Sequence, residues 1–223
     1  MSKNKIAIFD LDGTLISSEN AIYQLLNESL ITLGKKPLDF LTIRSLIGMN
    51  LIEMLQKTYP NESDDFYQSC SHIFHDKYQH TSAKERHILC YPHIKEQLEK
   101  LAAAGWVMAV CTGAGRHSCE RHLKENAIDH YFVTLKTSSD GYPSKPDPQI
   151  LRAAIAECGG QPDEAIMIGD TVYDIGMATK IDVKSIGVLW GYHDKAYLLN
   201  AGADCIIEDP AQLFDSLEEL ADG

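Results

Sequence analysis

Several things are scarce in this 223-residue chain, and each scarcity removes a class of function. No apolar run approaches the length of a bilayer span, so a membrane-spanning role is excluded. No secretory apolar segment follows Met1-Ser2-Lys3-Asn4-Lys5, which points to the cytoplasm. The six cysteines, at 70, 90, 111, 119, 158 and 205, contain no C-x-x-C spacing; reduced thiols are expected rather than a disulfide framework. The nine histidines form no H-x-H or H-E-x-x-H pattern, which argues against zinc. Basic residues are also few, 20 against 32 acidic, for a net charge of −12. Nucleic acid and anionic membrane both require basic patches, so neither is an expected partner. What remains is an ordinary core-forming chain. With 44% apolar residues, a chain of this length buries roughly 70% of its unfolded surface and needs no staples.

The most informative stretch is Ile6-Ala7-Ile8-Phe9-Asp10-Leu11-Asp12-Gly13-Thr14. Ile6 to Phe9 is apolar without alternation, which predicts a strand buried on both faces of a parallel sheet. Open α/β sheets bind ligands beyond such strand ends. Side chains at i and i+2 of an extended chain share a face, so Asp10 and Asp12 can enter one pocket, and Gly13 permits a sharp turn after them. Two adjacent carboxylates repel unless a cation or proton lies between them. Mg²⁺, a hard ion that prefers oxygen ligands, suits such a pair.

Three further segments carry polar residues at the ends of apolar runs or before a helical pattern. Trp106-Val107-Met108-Ala109-Val110-Cys111 reads as a strand ending in Thr112-Gly113-Ala114-Gly115. A hydroxyl beside a small-residue loop can bind a phosphate oxygen, with the Gly113 N–H facing the anion; taken alone, Thr112 is equally a helix cap. Ser144-Lys145-Pro146-Asp147-Pro148 fixes a lysine ahead of the helical pattern Ile150-Leu151-Ala154-Ile155. Alone, Lys145 reads as a solvated surface residue. Ala165-Ile166-Met167-Ile168-Gly169 predicts another buried strand, and Asp170 and Asp174 follow it near the mouth of the sheet.

Strand-Asp-x-Asp, strand-Thr, Lys and strand-Gly-Asp-x-x-x-Asp occur in the order of the four motifs of the haloacid dehalogenase (HAD) superfamily, which the chain resembles from Ile6 to the Leu213 region. Asp10-Leu11-Asp12-Gly13-Thr14-Leu15, Tyr91-Pro92, Lys145-Pro146-Asp147-Pro148, Ile168-Gly169-Asp170-Thr171 and Gly187-Val188-Leu189-Trp190-Gly191 are most similar to its phosphoglycolate phosphatase-like branch. The resemblance implies a phosphoric monoester hydrolase. Mg²⁺ would be held by Asp10, the main-chain carbonyl of Asp12, and Asp170. Thr112, Gly113 and Lys145 would bind the phosphoryl group. Asp10 would attack phosphorus to give an aspartyl phosphate, while Asp12 would first protonate the leaving alkoxide and later activate water. Asp174 would support the metal site or hold Lys145. The implied partner is a small phosphorylated metabolite, with 2-phosphoglycolate the leading expectation and pyrophosphate, sugar phosphates and nucleotides open.

Between the first motif and Tyr91 the strand-like runs disappear, and Ala21-Ile22-Leu25-Leu26-Ser29-Leu30, Ile43-Leu46-Ile47 and Met54-Leu55 recur at helical spacing. The expected organisation is a doubly wound, Rossmann-like parallel α/β core over residues 1–16 and 85–223, with residues 17–84 an inserted α-helical cap and a return linker around His80 to Lys84. By the resemblance this cap closes over the site. Arg44, Gly48, Met49 and Asn50 are similar to the cap segment that approaches substrate. Arg44 could pair with a substrate carboxylate, or be a solvated helix arginine. Two departures from the family stand out. Ser17-Ser18 replaces an acidic residue often found after the first motif, and Gly113 stands where Asn is common, which would widen the pocket.

A sugar phosphomutase would use the same aspartyl phosphate; Thr14 rather than Val, and Ile47 rather than Lys before Gly48, favour the hydrolase. A receiver domain is disfavoured by Asp-x-Asp-Gly-Thr and by the helical insert. The chain sets no oligomeric state.

Overall fold

The computed structural model describes residues 5–80 and 88–222. β1 (Ile6–Phe9) is buried along its whole length because it pairs in parallel on both sides. Its neighbours are β4 (Val107–Cys111) and β6 (Ala165–Gly169). The other strands of this sheet are β5 (Phe132–Lys136), β7 (Lys184–Val188) and β8 (Cys205–Ile207), in the all-parallel order β5-β4-β1-β6-β7-β8. The expectation of a Rossmann-like α/β core is borne out. Apolar segments of the sequence around Ile6, Val107, Ile166 and Ile186 mark four of these six strands. β5 and β8 are edge strands with mixed exposure, so neither shows a continuous apolar run.

Alternation within β1 feeds two layers. Ile6 and Ile8 join a cluster that includes Ile150 and Leu151 of α7 (Gln149–Glu157) and Met177 of α8 (Val172–Thr179). Ala7 and Phe9 face the opposite cluster, which takes Leu98 from α5 (Ile94–Ala103), Leu123 from α6 (Arg116–Glu125) and Leu217 from α10 (Leu213–Asp222). Helices on both faces account for the apolar run of β1. The remaining core helix, α9 (Lys195–Asn200), packs on β7 and β8.

Residues 19–80 hold four helices: α1 (Glu19–Thr32), α2 (Phe40–Leu46), α3 (Leu51–Thr58) and α4 (Asp64–His80). Asp39 and Asn50 cap α2 and α3, their side chains accepting from Thr42 N and Ile52 N. Ala21, Leu25, Leu26 and Leu30 are the buried apolar stripe of α1, at the spacing read in the sequence. These helices share one continuous apolar cluster with the α5/α6 face of the core. The chain leaves the core through β2 (Ile16–Ser17), which pairs antiparallel with β3 (Leu89–Cys90). This small ribbon interrupts the stretch that reads as free of strands, since two residues are too few to show alternation. Residues 81–84 of the expected return linker, and the boundary at residue 85, lie outside the described residues.

Candidate active site

Asp10, Thr112 and Asp170 each directly follow the last residue of one of three adjacent parallel strands. Phe9 pairs with both Val110 and Ile168, so Asp10 lies level with Cys111 and Gly169, one residue short of Thr112 and Asp170, and all three emerge at the carboxyl edge of the sheet. Asp10 N donates to Ile168 O at 2.9 Å and Thr112 N to Lys136 O at 2.8 Å, which fixes both backbones at the sheet edge. Gly13 turns the chain with φ +87°, and a Cβ there would lie 2.3 Å from Asp170 Oδ2. Only glycine allows this close approach.

Lys145 is buried and shared. Its Nζ donates to Asp10 Oδ1 and to Asp174 Oδ1, each at 2.6 Å. Asp174 is held in turn by the Thr171 hydroxyl (2.7 Å) and N–H (3.2 Å), a capping box at the start of α8. Asp170 accepts from Thr14 Oγ1 and Tyr192 N, both at 2.9 Å. One carboxylate oxygen each from Asp10, Asp170 and Asp174 lies within 4.8 Å of the others, and all three residues are buried. Asp10 Oδ2 has no hydrogen-bond partner among the described residues.

The charges in this cluster do not balance. Burial pushes the Asp10 carboxyl above its ordinary range against the pull of Lys145, with Asp174 adding repulsion. Burial, reinforced by Asp10 and Asp174, raises Asp170. Burial alone would lower Lys145, but Asp10 and Asp174 outweigh it and keep the ammonium charged. Three carboxylates against one ammonium, with an orphaned carboxylate oxygen, form a hard-oxygen donor set that fits a divalent cation.

Asp12 lies apart from this trio. Its Oδ1 accepts from Ser18 Oγ at 2.5 Å, and Ser18 Oγ lies 3.0 Å from the Tyr192 hydroxyl. Burial raises the Asp12 carboxyl, partly offset by the Ser18 hydrogen bond and then by Lys145. Ser18 therefore stands beside the carboxylate rather than leaving that corner empty. The sequence offered Ser18 only as a departure from the family, and nothing in it pointed to Tyr192.

A cavity of ≈ 150 Å³ opens above Asp10 and Asp12, lined on the core side also by Thr112, Gly113 and Ser138. Lys145 lines a smaller adjoining cavity that shares Thr112, Gly113 and Gly48. The Thr112 hydroxyl accepts from Ala114 N at 3.0 Å, while α6 is capped by Gly115, so Thr112 is not the helix cap. Gly48, Met49 and Asn50 reach the larger cavity. Gly113 does not open extra space: a Cβ there would sit 3.0 Å from Gly48 O, so the missing side chain admits the opposing backbone.

Arg44 lies away from the cavity: its Nη2 donates to Gly191 O at 2.7 Å and its Nε to Glu19 Oε2 at 3.3 Å, and it is not among the described residues lining the cavity. The guanidinium braces α2 against α1 and the loop after β7.

A family model described as haloacid dehalogenase-like hydrolase matches residues 7–188. The chain belongs to that family, and the expectation of a hydrolase of this kind is borne out. A phosphoglycolate phosphatase of Agrobacterium fabrum is 27% identical over 216 residues, 96% of this chain and 92% of its own. A pyrophosphatase PpaX of Bacillus cereus is 26% identical over 218 residues, 98% of each chain. Among solved structures, a hydrolase from Pseudomonas syringae superposes with a TM-score of 0.86 at 29% identity, covering 97% of this chain and 99% of that one.

Proposed function

We propose that the protein hydrolyses a small phosphate monoester through an aspartyl phosphate on Asp10, with Mg²⁺ at the acidic trio. The observation that carries this reading is the buried Asp10–Lys145–Asp174 chain beside the cavity, with Asp12 held separately by Ser18. Asp10, Asp170 and the main-chain carbonyl of Asp12 would hold the ion, with Asp174 nearby. When bound, Mg²⁺ supplies charge neutralisation to a phosphoryl dianion that would otherwise repel a carboxylate nucleophile.

The protein's own groups do the rest. Lys145 is kept protonated by its two carboxylates and adds positive charge beside the phosphoryl oxygens. The Thr112 hydroxyl and Gly113 N–H orient those oxygens at the strand end. Asp10 forms the bond to phosphorus as the ester oxygen leaves. Asp12, whose pKa burial raises, carries the proton that the leaving alkoxide takes. Once the alcohol has departed, the ionised Asp12 removes a proton from the water that cleaves the acyl phosphate. Helices α1–α4, within residues 17–84, act as a cap that excludes bulk water from these steps.

2-Phosphoglycolate and pyrophosphate are the substrates that the relatives' names bring forward. Phosphate release from a panel containing both, with sugar phosphates and nucleotides, tests the reading in parent protein and Asp10→Asn. Release should be lost in Asp10→Asn and on exhaustive chelation. Residual turnover in Asp10→Asn would remove Asp10 as nucleophile.

A further inference from the structure

The upper part of the larger cavity has a chemistry unlike its floor. Its wall is built from Ile47, Leu51, Ile52 and Met54 around α3 and from Phe74 and Tyr78 of α4. Phe74 and Tyr78, one helical turn apart, stack with ring centroids 5.3 Å apart and an interplanar angle of 22°. The Tyr78 hydroxyl is turned away to His122 Nε2 at 2.9 Å, so its ring contributes an apolar face. Among the described residues that line the cavity there is no lysine or arginine. Lys145, in the adjoining cavity, is engaged by Asp10 and Asp174. Arg44, the cation the sequence offered for a substrate carboxylate, is held by Glu19 and Gly191.

An anionic leaving group fits this surface poorly. The carboxylate of 2-phosphoglycolate, or the second phosphate of pyrophosphate, would leave water for a largely apolar wall, with Asn50 and Ser71 among its neutral polar members, in a cavity whose two carboxyl residues, Asp10 and Asp12, are both acidic, and burying an unpaired charge is costly. His75 also lines the cavity, and burial, with His72 adding to it, lowers its pKa, which works against a charged imidazole there. An apolar group there gains the ordinary burial energy and covers the stacked rings. The ≈ 150 Å³ covers the floor as well as this wall; since an apolar cavity of about that volume accommodates one benzene ring, the space favours a compact alcohol.

We infer that, given the phosphatase reading above, the preferred substrate is a monoester of a compact, uncharged, apolar alcohol no larger than a single ring, seated between α3 and α4. The bond broken is the same P–O ester bond, and the proton from Asp12 goes to that alcohol.

Benzyl phosphate and 2-phosphoglycolate, both esters of alkyl alcohols, isolate the leaving group's charge from its reactivity. The measurement is kcat/KM for each, with pyrophosphate alongside, in Mg²⁺-loaded parent protein and in Ile52→Lys, which places a cation on a partly exposed part of the wall. The parent should favour benzyl phosphate by at least tenfold, and Ile52→Lys should shift the ratio toward 2-phosphoglycolate by a similar factor. Equal or better turnover of 2-phosphoglycolate or pyrophosphate by the parent would overturn this inference and leave the phosphatase reading standing. No phosphate release from any of the three would overturn this inference, and no release from the sugar phosphates and nucleotides of the wider panel either would defeat the phosphatase reading with it. The parent ratio decides the matter even if Ile52→Lys fails to fold.

Discussion

The floor and the roof of the cavity are built on different physical terms. The floor is polar, buried and over-connected: Lys145 alone joins two strand-end or helix-start carboxylates, and Asp170 is fixed by a hydroxyl and a backbone N–H. Its side chains are positioned by the register of β1, β4 and β6. The roof is apolar and positioned by helix faces, and its residues belong to the same cluster that holds α1–α4 on the core. The difference separates two tasks. On the proposed reading, a floor of interlocked charges would act on the phosphoryl group common to all esters, whereas a largely apolar roof would meet only the part that differs between them.

Lys145→Met should break the comparison most strongly. On the proposed mechanism, loss of the ammonium would remove a charge that stabilises the phosphoryl group, so kcat should fall on the order of 10²–10³-fold for every ester. Urea unfolding should show a loss of about 3–5 kcal/mol, because buried carboxylates are left without a partner. A loss confined to one ester would contradict the division.

Cation addition comes next. Without an ion, the Asp10 and Asp170 carboxyls sit above their unfolded values. The folded protein therefore binds more protons there, and the stability this provides at low pH is lost as pH rises through the folded values. Mg²⁺ at a hundred times its Kd should add about 2.7 kcal/mol, and the rise in Tm should be larger at pH 8 than at pH 5.5, where protons compete for the same oxygens. An equal rise at both pH values would argue against binding at these carboxylates.

Phe74→Ala sharpens the comparison from the other side. It should raise KM for benzyl phosphate roughly tenfold, as expected for about 1.4 kcal/mol of lost contact, while kcat holds; a fall in kcat alone would place Phe74 with the floor. Arg44→Ala should do least. The Glu19 pair is about one-third exposed on each side, so thermal unfolding should shift by no more than about 1 kcal/mol, with KM for 2-phosphoglycolate unchanged.

The floor was legible in the sequence for the same reason that it is rigid. A parallel strand buried on both faces reads as an unbroken apolar run, and the residue that ends the run must lie at the sheet's carboxyl edge. Asp10, Thr112 and Asp170 could thus be placed at one edge of the sheet without coordinates, and Lys145 is brought to them in the fold. The roof was much less so. Phe74 and Tyr78 are spaced as any buried helix stripe would be, and nothing in that spacing tells a core contact from a cavity wall. Arg44 shows the converse limit: residue type suggested a ligand, but its direction depends on Glu19 and Gly191, which are 25 and 147 residues away in the chain. Ser18 and Tyr192, 174 residues apart, meet only in the folded protein.

The parallel register of β1, β4 and β6 has a consequence for descent with modification. Because backbone pairing inside the core sets where Asp10, Thr112 and Asp170 emerge, exchange of cavity-facing side chains on α3 and α4 leaves that pairing in place. A lineage would then acquire a new diet by rewriting helix faces while the proposed reaction is inherited. The converse path is closed, since a slip of one residue in β1 would turn Asp10 to the other face of the sheet.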